Sequence, residues 1–311
     1  MRIGILDIGS NSVHLRVMDL NRGWPPETAD SMKRPVRLAD ATSRDGVISA
    51  AGRQRVVTAA GEARRVASAN GVDEFLVFAT SAVREAANCE EVTAAIEAAA
   101  GTPVILLSGE DEARLTFLAA RRWYGWSGGP MMIADIGGGS LEIGYGNGEM
   151  PKIAVSLSLG AGQLTRQYLR AGPPVPGKDV TKVRKHVRSE IEQATAELRE
   201  QPAAVTTVAT SKTFRQLARL CGAPKGKAGL YAARTLDRRA LAKQIPRLAK
   251  ATDDKRARMR GVSASRAHQI LAGAIVAEAV MRVLGATRLS ICPWGVREGI
   301  ALERLDDLST R

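Results

Sequence analysis

Residues Ile5 to Val17 read I-L-D-I-G-S-N-S-V-H-L-R-V, and residues Ile133 to Tyr145 read I-A-D-I-G-G-G-S-L-E-I-G-Y. The two stretches match at a fixed offset of 128 positions, which pairs Asp7 with Asp135, Gly9 with Gly137 and Ser12 with Ser140. Each reads as an apolar strand, a tight turn of small residues and an alternating strand. A repeat at half-chain distance implies two copies of one supersecondary unit rather than a solenoid.

Outward from the first copy, strand and helix alternate. Helical spacing places Val56, Val57, Ala60 and Ala63 on one face of a helix over Gly52–Asn70. Short apolar strands are expected at Phe75–Ala79 and Val104–Leu107, with a helix at Cys89–Ala100 closed by Gly101. Ser108 is placed to cap the helix that carries Leu115, Leu118 and Ala119. Beyond the second copy, helices are expected over Val180–Glu200, Ala264–Leu284 and Val296–Leu305, with strands at Val205–Thr210 and Leu289–Cys292. The stretches Gly172–Gly177 and Ala223–Gly229 read as loops. The pattern is that of an α/β protein.

Composition narrows the class. A chain of 311 residues with 45% hydrophobic and 25% charged side chains is expected to fold into two domains with substantial cores. The longest apolar run, Ile270–Met281, is too short to span a bilayer and contains Glu278. The N-terminus reads as a strand, not a secretory signal. Cys89, Cys221 and Cys292 are odd in number and widely spaced, so disulfides and zinc are poorly supported and a cytoplasmic location is expected.

The charge is uneven. Of the net +13, the segment from Ala161 to Arg260 holds 23 Lys and Arg against 8 Asp and Glu, and the remainder is close to neutral. Such a surface attracts polyanions. Aromatic residues make up only 4%, which leaves few stacking platforms for nucleic acid. Charge alone does not choose among polyphosphate, nucleic acid, an anionic membrane and a merely solvated face.

The repeated turns point to phosphate chemistry. Glycine lets backbone N–H groups approach an anion. Asp7 and Asp135 repel phosphate, so they make sense beside it only with a divalent cation between.

Five motifs now carry a resemblance: D-I-G-S-N-S from Asp7, T-S-A-V-R-E from Thr80, G-E-D-E-A-R from Gly109, D-I-G-G-G-S-L-E from Asp135 and W-G-V-R-E-G from Trp294. In this order the chain resembles the exopolyphosphatase/guanosine pentaphosphate phosphohydrolase (Ppx/GppA) family, in a short two-domain form. The resemblance implies two ribonuclease-H-like domains of the actin and sugar-kinase superfamily with a cleft between them. Their expected bounds are 1–120 and 121–297, with a last helix, 298–311, returning to the first. The implied activity is removal of terminal phosphates from inorganic polyphosphate. Guanosine pentaphosphate 5′-phosphohydrolysis stays open, as do phosphotransfer and non-catalytic sensing of polyphosphate or alarmones.

By the same resemblance Glu112 is the catalytic carboxylate and Arg84 binds the scissile phosphate. Phosphate-loop positions are Ser10, Asn11, Gly137, Gly138 and Ser140. Asp7, Asp135 and Glu142 stand near the metal, expected to be Mg²⁺ or another divalent cation. Two departures stand out. The family's G-x-S-G-T turn reads Ala209-Thr210-Ser211-Lys212-Thr213, so both glycines are replaced and Lys212 adds a cation suited to bare phosphates. The family's E-R-A-D reads Ser265-Arg266-Ala267-His268. His268, like His14 and His186, reads as a packing or surface residue. Expected partners are inorganic polyphosphate, with guanosine tetra- or pentaphosphate and a homodimer left open, and neither membrane nor nucleic acid.

Overall fold

A computed structural model describes residues 1–43, 45–169 and 172–309. The chain divides into two compact units, Met1–Leu115 with Val296–Arg311, and Thr116–Gly295.

The first unit begins with an antiparallel meander, β1 (Arg2–Ile8), β2 (Ser12–Asp19) and β3 (Glu27–Pro35). Helices α1 (Leu38–Ala41) and α2 (Ala50–Ala69) follow, then β4 (Glu74–Ala79), α3 (Ser81–Arg84), α4 (Cys89–Ala100) and β5 (Val104–Leu106). The sheet order is β3-β2-β1-β4-β5, with β4 parallel to β1 and β5 parallel to β4. Helix α5 (Gly109–Tyr124) then carries the chain into the second unit.

The second unit repeats the plan. Strands β6 (Met131–Ile136), β7 (Leu141–Gly146) and β8 (Ile153–Leu157) form an antiparallel meander. Next come α6 (Ala161–Tyr168), α7 (Gly177–Ala194), β9 (Thr206–Thr210), α8 (Ser211–Leu220), β10 (Thr235–Asp237), α9 (Arg238–Lys250) and α10 (Asp253–Ala257). Helix α11 (Ile270–Val283) and strand β11 (Arg288–Ile291) complete it. Its sheet order is β10-β11-β9-β6-β7-β8, the first unit's order with one added edge strand. Helix α12 (Val296–Ser309) belongs to the first unit.

Strand alternation aims the two aspartates. On β1, Leu6 and Ile8 enter the core under α2 and α4, while Ile3 and Ile5 enter the opposite core with Leu115, Ile300 and Leu305. Asp7 shares the parity of Ile3 and Ile5, so it stands on the α5–α12 face. On β6, Met131 and Ile133 pack with Phe117 of α5, and Asp135 shares their parity.

Several expectations are adjusted. The helix expected over Val180–Glu200 starts at Gly177 and ends at Ala194, and Ala196–Glu200 is a separate 3₁₀ turn. The helix expected from Ala264 begins at Ile270, because Ala264–Arg266 forms its own 3₁₀ turn. Every residue of Ile270–Met281 is buried, Glu278 included. Among the described residues no helix is long and apolar enough to cross a membrane. Cys292 is buried, while Cys89 and Cys221 are partly exposed, and among the described residues none of the three is in a disulfide. Burial pushes the Cys221 thiol up to about 11, which suppresses its thiolate.

Candidate active site

In the first unit, α3 ends in Arg84 and α5 opens with Ser108-Gly109-Glu110-Asp111-Glu112. The Asp111 backbone N–H donates to Ser108 Oγ at 3.0 Å, and Ser108 Oγ donates to the Asp111 carboxylate at 2.6 Å. This reciprocal cap fixes the first turn of α5. Glu112 sits in that turn and is only 9% exposed. Arg84 Nη1 donates to Glu112 Oε1 at 3.0 Å and also to the Leu107 carbonyl. The outer Arg84 nitrogen lies 3.4 Å from Glu85. The two residues expected to act on the scissile phosphate are therefore in contact within one unit. The helix N-terminus favours the ionised carboxylate, and the guanidinium holds it in place.

The β1–β2 turn is braced from outside. The Gly9 N–H donates to the Ser12 carbonyl at 3.2 Å. The Ser10 carbonyl accepts from Ala39 of α1, and the Asn11 carbonyl from Val36 and Arg37 just before it. Asn11 Nδ2 donates to Ser10 Oγ at 3.0 Å. Asp7 faces a cation of its own: Arg297 Nη1 donates to Asp7 Oδ2 at 2.9 Å. Burial pushes the Asp7 carboxyl above its usual range, Arg297 opposes this, and Glu298 reinforces it. Arg16 pairs with Glu298 in turn. The motif W-G-V-R-E-G thus acts largely as a clasp. A side chain at Gly299 would meet the Leu115 backbone of α5 at 2.1 Å, so only glycine allows this approach.

In the second unit, the β6–β7 turn repeats the same hydrogen bond, from the Gly137 N–H to the Ser140 carbonyl at 2.9 Å. Its loop carbonyls are capped by the start of α6. The N–H groups of Gly160, Ala161 and Gln163 donate to Gly139, Gly137 and Gly138 at 3.0, 3.1 and 2.9 Å. A Cβ at Gly160 would lie 2.2 Å from the Gly139 carbonyl carbon. Gly138 is thereby held fixed in the loop, and Ser140 is buried. Asp135 stands directly opposite Glu142 across the β6–β7 ladder. Like charges so placed repel. Ser156 Oγ donates to Glu142 Oε1 at 3.1 Å, and Arg266 acts on Asp135 electrostatically.

The turn from β9 to α8 carries Lys212 after Ser211, whose φ of 81° lies in the left-handed region. Non-glycine residues rarely adopt it, and such strain gathers at functional loops. Burial lowers the basicity of the Lys212 ammonium, and Arg266 and Arg215 lower it further. Arg266 also donates to Thr213 Oγ1 at 3.2 Å. Three cations thus crowd one turn.

Sequence reading singled out Lys212 but not its companions Arg215 and Arg266, nor Arg297 and Gly160. The signals were present in S-R-A-H, in the arginine of W-G-V-R-E-G and in the paired glycines of Leu159-Gly160-Ala161-Gly162. Among the described residues, no three His, Cys, Asp or Glu side chains converge as a metal cluster.

The model of the Ppx/GppA phosphatase family matches residues 19–308. Exopolyphosphatase 1 of Mycobacterium tuberculosis is 46% identical over 306 residues, covering 98% of this chain and 89% of that protein. Two solved structures share the fold. An exopolyphosphatase from Cytophaga hutchinsonii gives a TM-score of 0.86 at 21% identity, covering 99% of this chain and 98% of that one. The Aquifex aeolicus Ppx/GppA family member gives 0.81 at 24%, with the same coverage.

Proposed function

The chain belongs to the Ppx/GppA phosphatase family, and from that premise we propose that it is a cytoplasmic exopolyphosphatase, releasing orthophosphate from the end of inorganic polyphosphate. The observation that carries the chemistry is the 3.0 Å contact between Arg84 and Glu112. Hydrolysis of a phosphoanhydride needs a positioned water and neutralisation of phosphoryl charge more than covalent assistance. Glu112, ionised at a helix N-terminus, orients that water and accepts its proton. Arg84 presents its remaining N–H groups to the phosphoryl oxygens and releases part of its hold on Glu112 as it does so.

The second unit carries phosphate-binding groups of its own. The glycine loop offers backbone N–H groups, and Lys212, Arg215 and Arg266 offer charge to a chain of phosphates. A magnesium ion fits beside Asp135 and Glu142, because Mg²⁺ is commonly held by one or two carboxylates with waters and substrate oxygens. Such an ion would neutralise phosphate charge and relieve the repulsion between the two carboxylates. Asp7 fits less well, since Arg297 already engages its carboxylate.

The preference for polyphosphate over guanosine pentaphosphate rests on the bulk and charge at the β9–α8 turn. The experiment is phosphate release from polyphosphates of several lengths and from guanosine pentaphosphate, with Mg²⁺ and then with excess chelator. Polyphosphate should be hydrolysed faster and only with Mg²⁺. Faster release from guanosine pentaphosphate, or full activity in chelator, would reject the reading.

A further inference from the structure

Helix α6 has work at both ends. Its first residues cap the glycine loop, and Thr165 and Arg166 near its last turn line a cavity of about 270 Å³ together with Asp253, Arg256 and His268. The proposed chemistry uses none of these side chains. The volume lies below the ~300–1,000 Å³ of sites for drug-sized ligands, so its occupant is small.

Arg256 gives the cavity its character. It is 2% exposed, so it is among the most deeply buried cations of the molecule. Its Nε donates to the Leu248 carbonyl at 2.8 Å and its Nη1 to Asp253 Oδ1 at 2.8 Å. Among the described residues its Nη2 is buried without a hydrogen-bond partner. Buried guanidinium donors are normally satisfied, and an orphan calls for an acceptor. Burial also lowers the basicity of Arg256, with Asp253 only partly opposing. Asp253 is itself 45% exposed on its side chain. The described residues lining the cavity include Asp253 and also Arg256, Arg166 and His268.

We propose that this cavity binds a small phosphoryl oxyanion, with Arg256, Arg166 and His268 supplying the donors. The inference rests on the phosphoanhydride reading only for choosing phosphate among oxyanions. The phosphoryl group has two sources, free orthophosphate or a distal unit of a bound chain. Either would be felt at the glycine loop, because Arg166 lies against Gly162, where an added Cβ would be 3.4 Å from Arg166 Nη1 and 3.0 Å from the Gly138 carbonyl oxygen.

The test is calorimetric titration of the full chain with sodium orthophosphate at fixed ionic strength, with chloride as control. It needs no turnover, so it stands even for a chain that hydrolyses nothing. Saturable binding should persist in Arg84→Gln, weaken about threefold to tenfold in His268→Gln and Arg166→Gln, and weaken more than tenfold in Arg256→Gln, as loss of charge-assisted contacts requires. Arg256 is embedded, so the two milder variants carry the test if Arg256→Gln does not fold. Binding lost in Arg84→Gln, or unchanged in folded His268→Gln and Arg166→Gln, overturns the proposal. Kinetics then separate the sources. A raised KM confined to long chains marks a chain subsite, and relieved inhibition by orthophosphate at constant KM marks a site for the free ion. No change in either also overturns it.

Discussion

The hairpins β1–β2 and β6–β7 share one turn, down to the hydrogen bond from Gly9 to Ser12 and from Gly137 to Ser140, yet they have parted in charge. In the first, Asp7 lies opposite His14 and is held by Arg297. In the second, Asp135 lies opposite Glu142. The first copy has its counter-charge built into the chain. The second sets two carboxylates face to face, with Arg266 acting on Asp135 and Ser156 donating to Glu142. The lesson is that a repeat conserves backbone geometry more readily than electrostatics. Strand parity groups Asp7 with Ile3 and Ile5, and Asp135 with Met131 and Ile133, and neighbouring segments then decide what each one does.

The comparison breaks hardest at the loops. The second turn depends on Gly160 and the start of α6 for its carbonyl caps, whereas the first depends on Val36, Arg37 and Ala39 around the start of α1. Gly160→Ala should cost about 3 kcal/mol or more, near the upper range for single substitutions, because its Cβ would strike backbone at 2.2 Å. Chemical denaturation measures this. A loss below about 1 kcal/mol would mean the α6 cap is dispensable.

A second test sharpens the charge difference. Asp135→Asn should raise the Mg²⁺ concentration for half-maximal activity about tenfold or more, comparable with losses seen for metal-site partners. Asp7→Asn should move it less than about twofold on the same scale. Equal shifts would return Asp7 to the metal. Smaller still is the effect expected at Lys212. Lys212→Gly removes one of three crowded cations, so KM for polyphosphate should rise about threefold to tenfold, the worth of one charged contact. Turnover at saturation should stay near wild type, and added salt should weaken binding less steeply. An unchanged KM and salt response would make the cluster a solvated face.

How much was legible depended on whether local pattern or distant packing set the outcome. Both hairpins, the Gly101 helix end with its φ of 68° and the Ser108 cap were readable, because each is a local device. Strand β3 was not, because Glu27–Pro35 is an exposed, charged edge with only Met32 buried. Ala264–Arg266 read as helix from its composition, but it forms a turn of its own that places Arg266 beside Thr213. Glu112 and Arg84 could be named from motifs, yet their contact depends on α3 and α5, 28 residues apart in sequence. Arg297 was visible only as a motif letter. Its ion pair with Asp7 spans 290 residues, and no window of sequence holds both.

The central claim is that Glu112 activates water for phosphoanhydride hydrolysis, and one measurement addresses it most directly. Orthophosphate release from polyphosphate at saturating substrate should be compared between wild type and Glu112→Gln, which keeps the shape and the contact with Arg84 but removes the base. The account predicts a fall in kcat of about 10²–10⁴, the usual contribution of a general base, with KM little changed. Turnover near wild type in a folded Glu112→Gln protein would contradict it.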